Sequence, residues 1–281
     1  IEGASSSEHA IALVQIERLQ EKLAISETAN RDSPTQEEKQ AAGEAIEAAE
    51  ELEGMGAILD QFRLIGLGNA AWVRGNTFIA AGYFWEALRM CKHTGDRQTE
   101  AQSLLNLGLI ASARGDFEEA EILHKKSLAV YRDIGDRLGE ARSLGNLGLH
   151  MESNGDLEGA ERLYRESLTI SLEIGDREGE GGVLGNLGIL AWNRGDYDEA
   201  ERLYREARSI HHDTGARTLE AKILNNLGIL AWDRSDYDEA ERLYREAITI
   251  YQETADLHSE MTILHNLAGI VLRRGEGDEA R

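Results

Sequence analysis

Five asparagines, Asn106, Asn146, Asn186, Asn226 and Asn266, stand 40 residues apart. A carboxamide offers two donors and an acceptor, the complement that an extended peptide backbone requires. The same ladder would serve equally to tie each segment to its neighbour and set their spacing, because buried amides find partners. Three residues further on come Leu109, Leu149, Ile189 and Ile229, and three beyond that column Trp72, Trp192 and Trp232. Rigid aromatics on an open face are typical binding anchors, each worth about 2 kcal/mol or more on truncation. Packed between helices they are ordinary core, which is the expected role of Trp72, while Trp192 and Trp232 fit either role.

Other chemistry is sparse. His211 and His212 are adjacent, so their side chains diverge instead of sharing one helix face as a metal pair would. His93, His124, His150, His258 and His265 lie on different segments without a shared nucleophile and carboxylate. There is no phosphate-binding loop and no glycine-rich dinucleotide motif. The expectation is a protein that is not an enzyme, with no cofactor and no metal.

The elements that hold these columns follow from the 40-residue register. Ala80, Ala120, Ala160, Ala200, Ala240 and Ala280 form one column, and Gly75, Gly115, Gly155, Gly195 and Gly275 another, broken by Ser235. A fixed period of this length marks stacked supersecondary units that cannot bury their apolar faces alone. Within one unit Leu184, Leu187, Leu190 and Ala191 follow helical spacing, as do Tyr197, Ala200, Leu203, Tyr204 and Ala207. Each unit is therefore a helical hairpin. Gly195 suits a left-handed residue ending the first helix, and Asp196 with Glu199 resembles a capping box opening the second. Gly95, Gly135 and Gly175, each followed by Asp, end the second helix and let Asp96, Asp136 and Asp176 cap the next unit.

Leu187-Gly188, Gly195, Tyr197, Ala200, Tyr204 and Ala207 resemble the tetratricopeptide repeat, over about residues 57–281. The resemblance implies an all-α fold, a right-handed superhelical solenoid of helical hairpins whose small residues let helices approach and whose aromatic wedges into the next hairpin. Forty residues instead of 34, with Gly-Asp in place of a terminal proline, is similar to the repeats of the Pins/LGN polarity adaptors and of bacterial and archaeal signalling proteins. In that family the first helices line a concave groove, and in Pins/LGN-like and kinesin-light-chain-like members matching asparagines contact bound peptide. The resemblance therefore implies a protein-protein interaction scaffold whose groove, centred on 137–254, takes a peptide or helix. Its implied site is Asn106, Asn146, Asn186, Asn226 and Asn266 with Leu109, Leu149, Ile189, Ile229, Trp192 and Trp232. Arg142 and Lys222 would add positive charge there, offset by Glu152 and Asp233. The basic clamp that some members use for a C-terminal carboxylate is not visible. Arg114, Arg194, Arg234 and Arg274 precede the corners, where a cation complements the helix dipole.

Charge narrows the partners. With 52 acidic against 30 basic residues, 24 of them arginine, the net charge is −22. Nucleic acid is not an expected partner, because arginines such as Arg202 and Arg205 alternate with Glu201 and Glu206 and leave no basic stripe. Such helix-surface pairs contribute about 0.3–0.5 kcal/mol each. Acidic, lysine-poor surfaces also occur in salt-adapted proteins. The single cysteine, Cys91, forms no intrachain disulfide and favours a reducing, cytoplasmic compartment. No 18-residue apolar run or leader is present, so neither a membrane span nor a membrane partner is expected.

Along the chain, 1–7 reads as a tail and 8–54 as a capping helical hairpin broken at Asn30–Thr35, with Pro34 opening its second helix. Residues 57–281 make the solenoid, five full repeats and a truncated sixth, the first worn at Gly66-Leu67-Gly68. The last segment is expected to turn at Gly275 and to stop just inside a following helix. Its apolar pattern, Met261, Leu264, Leu267, Ile270 and Val271, has no polar outer face, which points to continuation beyond Arg281 or to self-association through 257–281. A sensor or assembly arm of a larger signalling protein is the companion alternative. Residues 8–29 could also fill the groove themselves.

Overall fold

A computed structural model describes residues 57–279 together with Gln40, Gly43, Glu44 and Ile46. The expected tail, the capping hairpin and the groove-filling segment 8–29 lie outside these residues, those four positions apart. Ile46 packs against Ala70 and Val73.

Eleven helices occupy the described chain, and no strand. They are α1 (Ala57–Val73), α2 (Thr77–Thr94), α3 (Arg97–Arg114), α4 (Phe117–Ile134), α5 (Arg137–Ser153), α6 (Leu157–Ile174), α7 (Arg177–Asn193), α8 (Tyr197–Thr214), α9 (Arg217–Asp233), α10 (Tyr237–Glu253) and α11 (Leu257–Glu279). Odd-numbered helices open a repeat and even-numbered ones close it. The result is an all-α solenoid of helical hairpins. The chain divides into two compact units, Ile1–His150 and Met151–Arg281. In the first, α1 packs on α2, α2 on α3 and α3 on α4; in the second, the run from α6 to α11 packs each helix on the next. First helices also meet directly, α1 with α3 and α7 with α9.

Both corners form, but the expected capping box is only half made, because the Glu199 carboxylate takes Arg202 and the Asp196 N–H bonds the Ala191 carbonyl. Gly195 adopts φ 78° at the end of α7, a conformation that costs a residue with a Cβ about 1–2 kcal/mol. Asp196 then accepts the backbone N–H of Glu199 at 3.3 Å, and between repeats Asp176 accepts that of Gly179 at 3.0 Å. Where the glycine is missing the backbone still turns left, with Ser235 at φ 62° and Ala255 at φ 55°.

The small-residue column is fixed by an aromatic ring. A Cβ added to Gly188 would lie 2.6 Å from the Tyr204 ring, and one added to Gly228 would lie 2.4 Å from Tyr244. Each ring thus rests on the glycine of its own first helix, so the two helices of a hairpin close to ring thickness. Ala200, Ala207, Ala240 and Ala247, all fully buried, continue the contact.

The expected corner at Gly275 is not made. Helix α11 runs unbroken for 23 residues through Gly275 and Gly277 to Glu279. A left-handed turn is held by the second helix folding back onto the first, as Tyr204 does on Gly188, and no such helix follows within the described residues.

Candidate functional site

The structure separates the five asparagines by environment. Asn106 is 4% exposed, and its Nδ2 donates to Oδ1 of Asn69 at 3.4 Å, an amide pair between first helices of adjacent repeats. Asn146, Asn186, Asn226 and Asn266 are half-buried. Asn266 Nδ2 donates to Oδ1 of Asn225 at 3.1 Å, so the neighbour of Asn226 forms the inter-repeat link. That bond uses one of the two Asn266 donors. Of the apolar column, Leu149 is exposed and Leu109, Ile189 and Ile229 are half-buried. Arg142 is exposed and Lys222 half-buried.

The tryptophans of the second unit are neither core nor bare. Trp192 and Trp232 each lie partly open while packing against the unit's apolar centre. Trp192 Nε1 donates to Oδ2 of Asp233 at 2.6 Å, from the last turn of α7 to the last residue of α9. Trp232 stands edge-on to Tyr237, ring centres 5.2 Å apart. In the same column Glu152 replaces tryptophan. Its carboxylate accepts Tyr164 Oη at 3.0 Å and Asn193 Nδ2 at 3.4 Å, and burial raises its pKa above the usual range. Burial and the Glu152 carboxylate raise the Tyr164 phenol further. Asp233 and Glu152 thus appear at the ends of first helices as fixed acceptors, which charge counting alone had treated only as offsets to Arg142 and Lys222.

A cavity of about 280 Å³ opens beside Trp232. It is lined by Ile229 and Trp232 of α9, Tyr244 of α10, and His265, Asn266 and Gly269 of α11. Tyr244 therefore rests on Gly228 within its hairpin and also lines the cavity that the next repeat's first helix shares.

The corner arginines do more than face a helix dipole. Arg234 reaches Asp198 and Glu201 at 2.5 Å each, and Arg194 reaches Glu161 at 2.6 Å and the Leu157 carbonyl at 3.2 Å. Each clasps the second helix of the preceding repeat. A 33-residue offset from arginine to glutamate, 161 to 194 and 201 to 234, carries that signal in the sequence.

The adjacent His211 and His212 point to different surroundings. His211 is buried and pushed down to about 4 by desolvation, while exposed His212 bonds Glu220 through Nδ1 at 3.1 Å. His124 and His150 form a buried stacked pair. Among the described residues no three His, Cys, Asp or Glu side chains group to hold a metal, and no helix is long and apolar enough to cross a membrane. Burial pushes the Cys91 thiol up to about 12, which removes it as a nucleophile near neutral pH.

A solenoid of glycine-cornered helical hairpins with a half-open aromatic row is the architecture of a repeat protein. Residues 61–133, 99–173, 139–212 and 179–253 each match the family model of the tetratricopeptide repeat, and the chain belongs to that family. Among solved structures, a Rap protein complexed with Competence and Sporulation Factor aligns with TM-score 0.67 at 13% identity, over 95% of this chain and 90% of that one. NprR in complex with its cognate peptide NprX aligns with TM-score 0.65 at 13% identity, over 95% and 74%. BtubC from P. vanneervenii aligns with TM-score 0.61 at 20% identity, over 76% and 90%. At such identities the likeness is one of fold. No curated protein sequence matches the chain.

Proposed function

We propose that this protein is a protein-interaction scaffold and that the first helices α7, α9 and α11 of its second unit bind a peptide or helix. The observation that carries the reading is the pair Trp192 and Trp232, held half-open at equivalent positions of successive repeats, one by Asp233 and one by Tyr237. Asn186, Asn226 and Asn266 supply backbone hydrogen bonds beside Ile189 and Ile229. Affinity then rests chiefly on aromatic and aliphatic anchors. The fold is shared with NprR, which was solved with a cognate peptide, and this supports the reading.

The test is capture from source lysate with the chain and with a triple variant, Asn186→Ala, Asn226→Ala, Trp232→Ala, verified as equally helical and equally stable. A partner lost only by the variant supports the face. A partner kept by both moves the site elsewhere on the surface.

A second reading has its own observation. Met261 and Leu257 are each 70% exposed on α11, and Leu264 is 45% exposed. Self-association through this helix would cover them. Concentration-dependent mass in light scattering, abolished by Met261→Asp with Leu264→Asp, supports it, and a monomer at every concentration removes it. Leu267 is half-buried against the core and suits that test less well, and the Val271 side chain lies outside the described residues.

A further inference from the structure

The cavity beside Trp232 exists because one repeat departs from its column. Leu109, Leu149, Ile189 and Ile229 hold the position in the preceding repeats, and Gly269 holds it in α11. A Cβ at Gly269 would point at the Trp232 ring edge, 3.5 Å from Cη2, an ordinary contact distance. A side chain there would lie inside the cavity. Glycine in a helix interior costs about 1 kcal/mol relative to alanine, so this is a position where the local preference for a side chain has been given up.

What the glycine leaves open is built for one side chain. About 280 Å³ is below the usual range for whole small-molecule sites, and well above a benzene-sized void. Its walls are an indole, a phenol ring and an isoleucine, with the Asn266 amide and His265 as the polar members. Asn266 spends one N–H on Asn225, which orients its amide and leaves its second N–H and its carbonyl for a backbone. The surroundings are anionic. From Met151 to Arg281 there are 28 acidic and 15 basic residues, and Asp233 follows Trp232 directly. A cation is favoured both by that field and by an indole face.

We propose that this cavity is a side-chain subsite that takes one bulky aliphatic or aromatic residue from a cationic peptide, with Asn266 bonding the peptide backbone beside it. The proposal rests on the peptide-binding reading above and names the feature of the peptide that is read.

Random-sequence peptides displayed on phage, selected on the whole chain, test it. Selected peptides should share one bulky apolar residue with Lys or Arg nearby. Their binding should fall about tenfold to a hundredfold with Gly269→Ile, which refills the cavity with the residue of the two preceding repeats, the loss expected when one such side chain is no longer buried. Gly269→Ala, which also stiffens the helix but leaves most of the space, should keep binding. Both variants should melt no lower than the parent. Peptides that bind Gly269→Ile as well as the parent, yet lose affinity with Asn186→Ala and Asn226→Ala, overturn the subsite and leave the peptide-binding face standing. Enrichment of anionic peptides overturns the charge preference. Selected peptides indifferent to every one of these substitutions, or no enrichment at all, overturn both readings.

Discussion

Nδ1 of His124 stands 2.9 Å from Nε2 of His150, the two rings stacked in the core of the first unit. His124 occupies the aromatic column of Phe84, Tyr164, Tyr204 and Tyr244, and His150 the aliphatic column of Ile110, Leu190 and Leu230. One ring donates and the other accepts, which requires the accepting ring to be neutral and leaves no room for both to be protonated. Desolvation, with His150 adding to it, holds His124 down to about 3, and desolvation also lowers His150 although Glu121 acts against it.

The pair makes stability depend on pH. An unfolded histidine titrates near about 6.5. Below that value the unfolded chain binds protons that the folded core refuses, so stability falls as pH drops from the unfolded value toward the depressed folded ones. The melting temperature should decrease between neutral pH and about pH 4. His124→Tyr with His150→Leu, which restores both columns, should flatten that part of the curve, as measured by thermal unfolding across a pH series.

Gly228 and Gly188 admit no side chain. Alanine at Gly228 would push the Tyr244 ring, and overpacking of this kind costs about 1–3 kcal/mol. Chemical denaturation should show that loss for Gly228→Ala, and Gly228→Ala with Tyr244→Leu should recover part of it. A loss from Gly228→Ala as large in the Tyr244→Leu background as in the parent would show that the ring does not rest on the glycine.

Ser235 and Ala255 hold left-handed backbone without being glycine. Ser235→Gly should therefore stabilise the protein by about 0.5–1 kcal/mol, and Ala255→Gly similarly. Substituting Gly195 by alanine should act in the opposite direction by a comparable amount.

The clasp from Arg234 to Asp198 and Glu201 lies in solvent, where such pairs are screened. Arg234→Ala should cost about 1 kcal/mol or less, and the difference from the parent should shrink in high salt. A loss as large as that of Gly228→Ala would place the clasp among the determinants of the core.

Most of the fold was open to a reader of the sequence because the determinants repeat. Helical spacing, the Gly-Asp corners and the Leu-Gly column each recur, and each is a local rule of backbone geometry. What escaped depends on deviations between repeats. His124 and His150 belong to different columns, so only the packed helices show that two departures meet. Asp233 looked like a compensating charge, and its bond to Trp192 spans 41 residues. Gly269 could be seen to break its column, but a missing side chain becomes a cavity only when Trp232 and Tyr244 are known to face it. The corner expected at Gly275 failed because a glycine permits a turn without imposing one.

The bonds that hold this chain together are short in sequence. Gly188 meets Tyr204 across one corner, Arg234 meets Glu201 across 33 residues, and Asn266 meets Asn225 across 41. Such low contact order lets loops close early and cheaply during folding, so the repeats can assemble progressively as they are synthesised. Pulled from either end, the same chain would yield hairpin by hairpin, a spring whose extension is set by the number of repeats released and not by one global rupture.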